Sequence, residues 1–253
     1  GNTRTHKLRL SRVLHRDQSS KTSVSAGVQH IRSRNFFDDT LLSISSHKIT
    51  EFSAGLNHGR RIWGGLLNTD LGFQKGSTAF GAQKDHHPVA GQPRAQFSKY
   101  TATLSYLRPF TLLQERFRFS SLATGQWSQD VLYGPVRFSI GGLNSVRGFR
   151  DQSLSGDSGG YWRNELSWMT PITLSGFDHV FQSFSATAAY DAGVIHGGKY
   201  NSRLHGRMTS RALAFALQGK HLSTSVTLAE SLSRPDAITE KEHPVWFQIS
   251  VKI

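Results

Sequence analysis

Cysteine is absent from the 253 residues. This excludes disulfides, thiolate metal sites and cysteine nucleophiles. It also argues against a secreted hydrolase, which at this size normally carries disulfide bridges. Methionine occurs only twice and not at the first position, so Gly1 points to a processed or cut N-terminus. No secretory leader is visible, and no run of about 18 apolar residues is available to form a membrane helix. Acidic residues are scarce, with 17 Asp and Glu against 30 Lys and Arg and a formal charge of +13. Such a surplus favours acidic surfaces: nucleic acid, anionic lipid headgroups or lipopolysaccharide. Amphipathic helices are missing too, and no Gly-rich phosphate loop precedes a helix.

What the chain does have is a period of two. In Ser183 to Val194, the residues Phe184, Ala186, Ala188, Tyr190, Ala192 and Val194 oppose Ser183, Ser185, Thr187 and Asp191. Near the end, Val245, Phe247, Ile249, Val251 and Ile253 alternate with Trp246, Gln248, Ser250 and Lys252. The same rhythm marks Ile62 to Gln74, with Trp63, Gly65, Leu67, Leu71 and Phe73 on one face, and also Lys99 to Arg108 and Arg116 to Trp127. Further segments lie near 4–14, 22–32, 41–57, 160–170, 209–219 and 221–231, roughly eleven strands in all. Most approach the ~9–11 residues that cross a bilayer, and mean hydropathy stays low because such strands alternate. The longest connections are Lys75 to Gln96 and Val131 to Gly160. Aromatic residues near strand ends, such as Tyr100 and Tyr106 or Phe117 and Trp127, suit the two interfacial girdles of a membrane barrel. A soluble basic β-barrel or sandwich is the competing architecture; its strands are usually shorter, about five or six residues.

Three chemical signals are weak. GDSGG at residues 156–160 resembles the surroundings of a serine-protease nucleophile, Ser158. A triad needs a base and an orienting acid. His58 and Asp70 or Asp85 lie upstream, but Tyr161 follows where that family has Pro, so a tight turn is the favoured explanation. His86 and His87 are adjacent, which makes their side chains diverge in an extended segment, and no further metal ligands are identifiable. No base-stacking platform accompanies the basic residues, which argues against nucleic acid.

The stretch Ile140 to Leu166, IGGLNSVRGFRDQSLSGDSGGYWRNEL, carries more information. Val146, Arg147, Gly148 and Phe149 resemble the VRG(F/Y) signature of the inward-folded loop in TpsB transporters, the FhaC- and ShlB-like outer-membrane proteins of two-partner secretion. LSGDSG, with Gly156 and Asp157, resembles that family's LSGD-x-G element, and the following strand opens with WRNEL. Tyr190 to Val194 is similar to its (Y/F)-D-x-G-x-V element.

The resemblance implies an all-β, antiparallel transmembrane β-barrel in the outer membrane of a Gram-negative bacterium. An inward-folded loop would span about 131–160. Residues 1–253 would supply roughly eleven of about sixteen strands, with the periplasmic POTRA domains outside this segment. It implies that Arg147 pairs with the lumenal Asp191. The strand phase turns Asp191, Glu165 and Arg163 inward, Gly148 would let the backbone turn sharply, and Phe149 would wedge against the inner wall. The implied activity is export, and possible activation, of a large TpsA-type haemolysin or adhesin by a monomeric barrel set in lipid and lipopolysaccharide. No catalytic residue, cofactor, metal or nucleic acid is implied. The terminal Ile253 stands where Phe or Trp is usual. A BamA-type insertase shares the VRGF element but usually lacks LSGD-x-G followed by WRNEL.

Overall fold

The computed structural model describes residues 1–85, 91–174, 176–198 and 205–252; His86, His87 and Ile253 lie outside the described residues. The strands described are β1 (Asn2–Arg16), β2 (Ser20–Arg34), β3 (Phe36–Phe37), β4 (Thr40–Leu41), β5 (His47–Ile62), β6 (Gly65–Ser77), β7 (Ser98–Leu112) and β8 (Glu115–Ser128). They continue as β9 (Phe138–Ile140), β10 (Leu154–Gly156), β11 (Gly159–Pro171), β12 (Ser183–Ile195), β13 (Gly206–Gln218), β14 (Leu222–Ser233) and β15 (Val245–Val251). Eleven of these form one antiparallel sheet in the order β1-β2-β5-β6-β7-β8-β11-β12-β13-β14-β15; β9 with β10 and β3 with β4 form two small hairpins outside it. Each of the eleven segments with a period of two therefore contributes one strand to the sheet.

Two boundaries differ from the sequence reading. The segment Ile62 to Gln74 is not one strand: Ile62 ends β5, and Trp63 and Gly64 form the turn into β6. Both have left-handed backbones, φ 50° for Trp63 and 73° for Gly64, as a two-residue type I′ hairpin requires. Trp63 accordingly leaves the face it was assigned and is 78% exposed at the turn tip. Leu113 and Gln114, at φ 51° and 65°, make the same kind of turn between β7 and β8. The segment 41–57 begins late, at His47, because Asp38 and Asp39 (φ 46° and 59°) close the β3–β4 hairpin before it and Ser43–Ser45 form a 3-10 turn.

The connections separate into two ends. Asp17–Ser19, Trp63–Gly64, Leu113–Gln114 and Gly219–His221 are turns of two or three residues at one end, where the longer connection from β11 to β12 also lies. The described parts of the remaining long connections, 35–46, 78–85 with 91–97, 129–158, 196–198 with 205, and 234–244, lie at the other. Short turns face the periplasm and long loops the exterior in barrels of the outer membrane.

The two faces differ in chemistry. Leu8, Phe73, Tyr100, Leu104, Leu166, Leu213, Phe215 and Ile249 share the outward face and are exposed. An exposed apolar surface of this extent requires an apolar solvent. Phe73, Tyr100 and Trp127 adjoin on neighbouring strands as tilted pairs with ring centroids 5.1 and 5.6 Å apart. Towards the short-turn end lie Phe110 and Phe117, 5.5 Å apart, and Trp168, Phe184 and Phe215 at 6.1 and 6.3 Å spacings. Tyr100 and Phe110 sit on one strand, ten residues apart. At ~3.3 Å per residue and a tilt of ~40°, the two aromatic rows are about 25 Å apart along the normal, the height of an outer-membrane apolar band.

The inward face is polar, with Lys7, Arg9, Gln29, Glu51, Asp70 and Thr103 lining a concavity. The 129–158 connection fills the rest. Its Leu132 and Val136 cluster with Ile31 of β2, Ile49 of β5 and Phe97. Farther along, Ile140, Val146, Phe149 and Leu154 cluster with Ile195 of β12, Met208 of β13 and Ile238. A single loop that reaches inner-face residues from β2 to β13 requires the sheet to curve around it. These two clusters hold most of the buried apolar side chains.

Candidate functional site

The loop folds as it does because its glycines lie where a side chain would not fit. Gly141 and Gly142 have φ of 118° and 91°, and the reversal is closed by the Ser145 hydroxyl, which accepts the Gly141 N–H at 2.8 Å. The Gly142 N–H in turn donates to the Phe149 carbonyl at 2.6 Å. Between them Val146 and Phe149 point into the apolar cluster, both fully buried. Arg147 points the other way, at the wall.

Asp191 receives it. The Arg147 Nε donates to Asp191 Oδ2 at 2.8 Å and Nη2 to Oδ1 at 2.7 Å, a two-pronged grip, while the Arg147 main-chain N–H adds a third bond at 3.1 Å. The Ser210 hydroxyl on β13 donates to Asp191 Oδ2 at 3.2 Å. Glu165 lies beside them, its Oε1 at 2.9 Å from Arg147 Nη2 and 3.1 Å from Arg163 Nη2. Arg163 also approaches Asp191, at 3.8 Å, from the directly opposite position on β11. Two cations and two anions therefore interlock with every charge opposed. Fork-to-carboxylate geometry fixes orientation as well as distance. Burial works against the Arg147 cation, but Asp191 and then Glu165 outweigh it and hold its pKa above the ordinary guanidinium value.

Gly148 does not turn the backbone through a left-handed conformation. Its side-chain position is blocked instead: a Cβ would lie 2.5 Å from Ser210 Cβ and 2.7 Å from the Glu230 carbonyl. The loop is pressed against β13 and β14 at this point. Gly193, two residues past Asp191, leaves similar room for Val146 and Ile140.

Gly156 and Asp157 are not part of this ionic cluster. Gly156 packs on Ile195. Asp157 ties the loop's two limbs together, accepting the Leu132 N–H at 2.9 Å and meeting Arg137 at 3.3 Å. Ser158 is turned to β8: its hydroxyl accepts the Ser128 N–H at 3.0 Å and donates to the Ser128 carbonyl at 3.1 Å.

Several contacts were not foreseen in the sequence. The Trp246 indole on β15 donates to the Arg147 carbonyl at 3.0 Å. The Glu242 carboxylate accepts three successive main-chain N–H groups, of Arg150, Asp151 and Gln152, at 2.6, 3.0 and 3.1 Å. Arg137 and Ser210 complete the set. Strand phase could have found Ser210 and Trp246, since both face inward; Glu242 sits in a loop without pattern. Among the described residues no cluster of three metal-ligating side chains occurs.

A family described as haemolysin secretion/activation protein ShlB/FhaC/HecB matches residues 1–217. The chain belongs to this family. It is 38% identical over 251 residues to the outer membrane transporter CdiB of Escherichia coli, covering 99% of this chain and 41% of that protein. It is 32% identical over 234 residues to the hemolysin transporter protein HpmB of Proteus mirabilis, covering 92% and 40%. The solved structure of CdiB from Escherichia coli superposes with a TM-score of 0.90 at 37% identity, over 98% of this chain and 45% of that one. The structure of CdiB from Acinetobacter baumannii shares the fold, with a TM-score of 0.81 at 24% identity over 98% and 42% of the two chains. The chain thus spans about two fifths of the length of these relatives. As in its relatives, the sheet is part of a transmembrane β-barrel, and the protein belongs to the outer membrane of a Gram-negative bacterium.

Proposed function

We propose that this ShlB/FhaC/HecB-family chain forms part of the barrel of a two-partner secretion transporter that exports a large TpsA-type exoprotein. The observation that carries the reading is the buried, fully opposed ionic cluster joining Arg147 to Asp191 and Glu165. It holds a loop inside the barrel at a defined position, and removing one partner of such a buried pair costs about 3–5 kcal/mol. An interaction of that size is a latch on the loop: strong while intact, and releasable when the exoprotein competes for the wall. The polar inner face offers an unfolded chain hydrogen bonds and charge without an apolar surface on which to stick. No covalent step is needed.

The exposed backbone edges of β1 and β15 support the same reading, because hydrocarbon does not tolerate unpaired backbone groups. Further strands of the transporter would close the barrel between them, as a single monomeric pore, with POTRA domains on the periplasmic side. The test is co-expression of the full transporter with an exoprotein encoded beside it. Export should require the transporter and fail without it. Export that proceeds equally in its absence, or outer-membrane protein assembly that fails without it, would support insertase activity instead.

A further inference from the structure

On the outward face near the long-loop end, Arg4, Arg32 and Lys48 stand side by side, directly opposite one another in register across β1, β2 and β5. Ile31 and Ile49, their neighbours in sequence, point inward into the core, so the phase of these three cations is fixed. Arg34 lies one pair farther out, and Asn2, Arg4, Arg32, Arg34 and Phe36 line a recess. Some cations of the sheet are neutralised, Arg163 by Glu165, Lys99 by Glu51 and Arg211 by Glu230, and others, such as Arg12 opposite Val24 and Arg108 opposite Phe119, have no cation directly across from them. Here three cations adjoin and none is neutralised. Among the described residues Arg4, Arg32, Arg34 and Lys48 take part in no ion pair within 4.0 Å, although Asp38 and Asp39 lie in the adjoining hairpin. The Arg32 Nε is shielded from solvent and has no hydrogen-bond partner. A buried donor left unmade is costly, so this position calls for an acceptor.

Height on the barrel says where the acceptor comes from. Ala26 on β2 is in register, through Ala54, with Phe73 of the outer aromatic row. Arg32 is six residues beyond Ala26 on the same strand. That is ~20 Å along the strand at ~3.3 Å per residue, so the cations stand outside that row, on its long-loop side and beyond the acyl chains. In the outer leaflet of this membrane that zone holds the phosphorylated sugars of lipopolysaccharide. Guanidinium groups match phosphate oxygens in pairs, and the row repeats the charge at the spacing of adjacent strands, about 4.8 Å.

We propose that Arg4, Arg32, Arg34 and Lys48 form a binding site for the phosphorylated headgroup of lipopolysaccharide on the outer wall of the barrel. The site serves lipid anchoring and does not depend on export.

The test uses the full transporter in phosphatidylethanolamine nanodiscs, with lipopolysaccharide, its dephosphorylated form and inorganic phosphate as probes. Retained lipopolysaccharide is counted by native mass spectrometry. The wild type should retain phosphorylated lipopolysaccharide at least tenfold better than the R32Q/K48Q variant, and the dephosphorylated form poorly. A control, R16Q/K21Q, removes two charges at the short-turn end and should retain it like the wild type. Heat-modifiable gel mobility reports barrel folding; if R32Q/K48Q fails to fold, R4Q/K48Q takes its place. Equal retention by the variant, equal retention of the dephosphorylated form, or an equal loss in the control would overturn the proposal. Displacement by inorganic phosphate at millimolar concentration would show a free-anion site and overturn the lipid assignment.

Discussion

Trp246, on the last strand of the sheet, donates its indole N–H to the main-chain carbonyl of Arg147 at 3.0 Å. The residue whose side chain grips β12 is thus held by its backbone from β15. Arg147 is therefore held from two strands three places apart in the sheet, by its side chain from β12 and by its carbonyl from β15.

Replacing Trp246 by Phe tests that second hold. The ring stays and the hydrogen bond goes, at a cost of about 0.5–1.5 kcal/mol. Labelling of a cysteine introduced at Ser155 should become severalfold faster in W246F, with export reduced but not abolished. Unchanged labelling would show that the indole contact does not restrain the loop.

Gly148→Ala should be far more severe than its single methyl suggests. The new Cβ would meet both Ser210 Cβ and the Glu230 carbonyl. Export should fall at least tenfold with barrel folding intact. Because the Glu230 obstacle is main chain, the S210G substitution should not rescue it. Rescue by S210G would assign the whole clash to the Ser210 side chain.

Ser158→Ala should be mild. The hydroxyl makes two hydrogen bonds to the Ser128 backbone and touches no ionic residue. Stability should fall by about 1 kcal/mol, and export should stay within twofold of wild type. Abolished export from a folded S158A barrel would revive a chemical role for GDSGG.

Arg211 and Glu230 form an ion pair at 2.6 Å on the outward face, opposite Tyr190 and between the aromatic rows. Charges there face hydrocarbon, where an unpaired one is unfavourable. Each single Leu substitution should therefore destabilise the barrel more than the R211L/E230L double substitution, as read by urea unfolding in bilayers. A double variant as unstable as the sum of the singles would contradict a lipid-facing pair.

Much of this architecture was legible in the alternation of residues. Asp191 could be turned inward from the phase of Phe184 and Tyr190 alone, and its register opposite Arg163 and Ser210 agrees. Turns were less legible. Trp63–Gly64 lies inside a run that alternates without a break, and the turn shows only in the positive φ of both residues. Gly148 does sit in the tight turn its motif suggests, closed by the Phe149 N–H on the Val146 carbonyl, but its close approach to β13 and β14 depends on tertiary packing that no local pattern encodes. Glu242 reaches main-chain groups about ninety residues away, at 150–152. A contact made by a carboxylate to backbone N–H groups leaves no signature in the residues it contacts.

The central claim is that the Arg147–Asp191 grip sets the working position of the loop. It is tested most directly by measuring export for R147A, D191A and the double variant at matched levels of folded, surface-exposed barrel. The account predicts that either single change abolishes export and that the double variant is no worse than the singles, because one interaction has been removed in all three. Export at wild-type level in both single variants would contradict it.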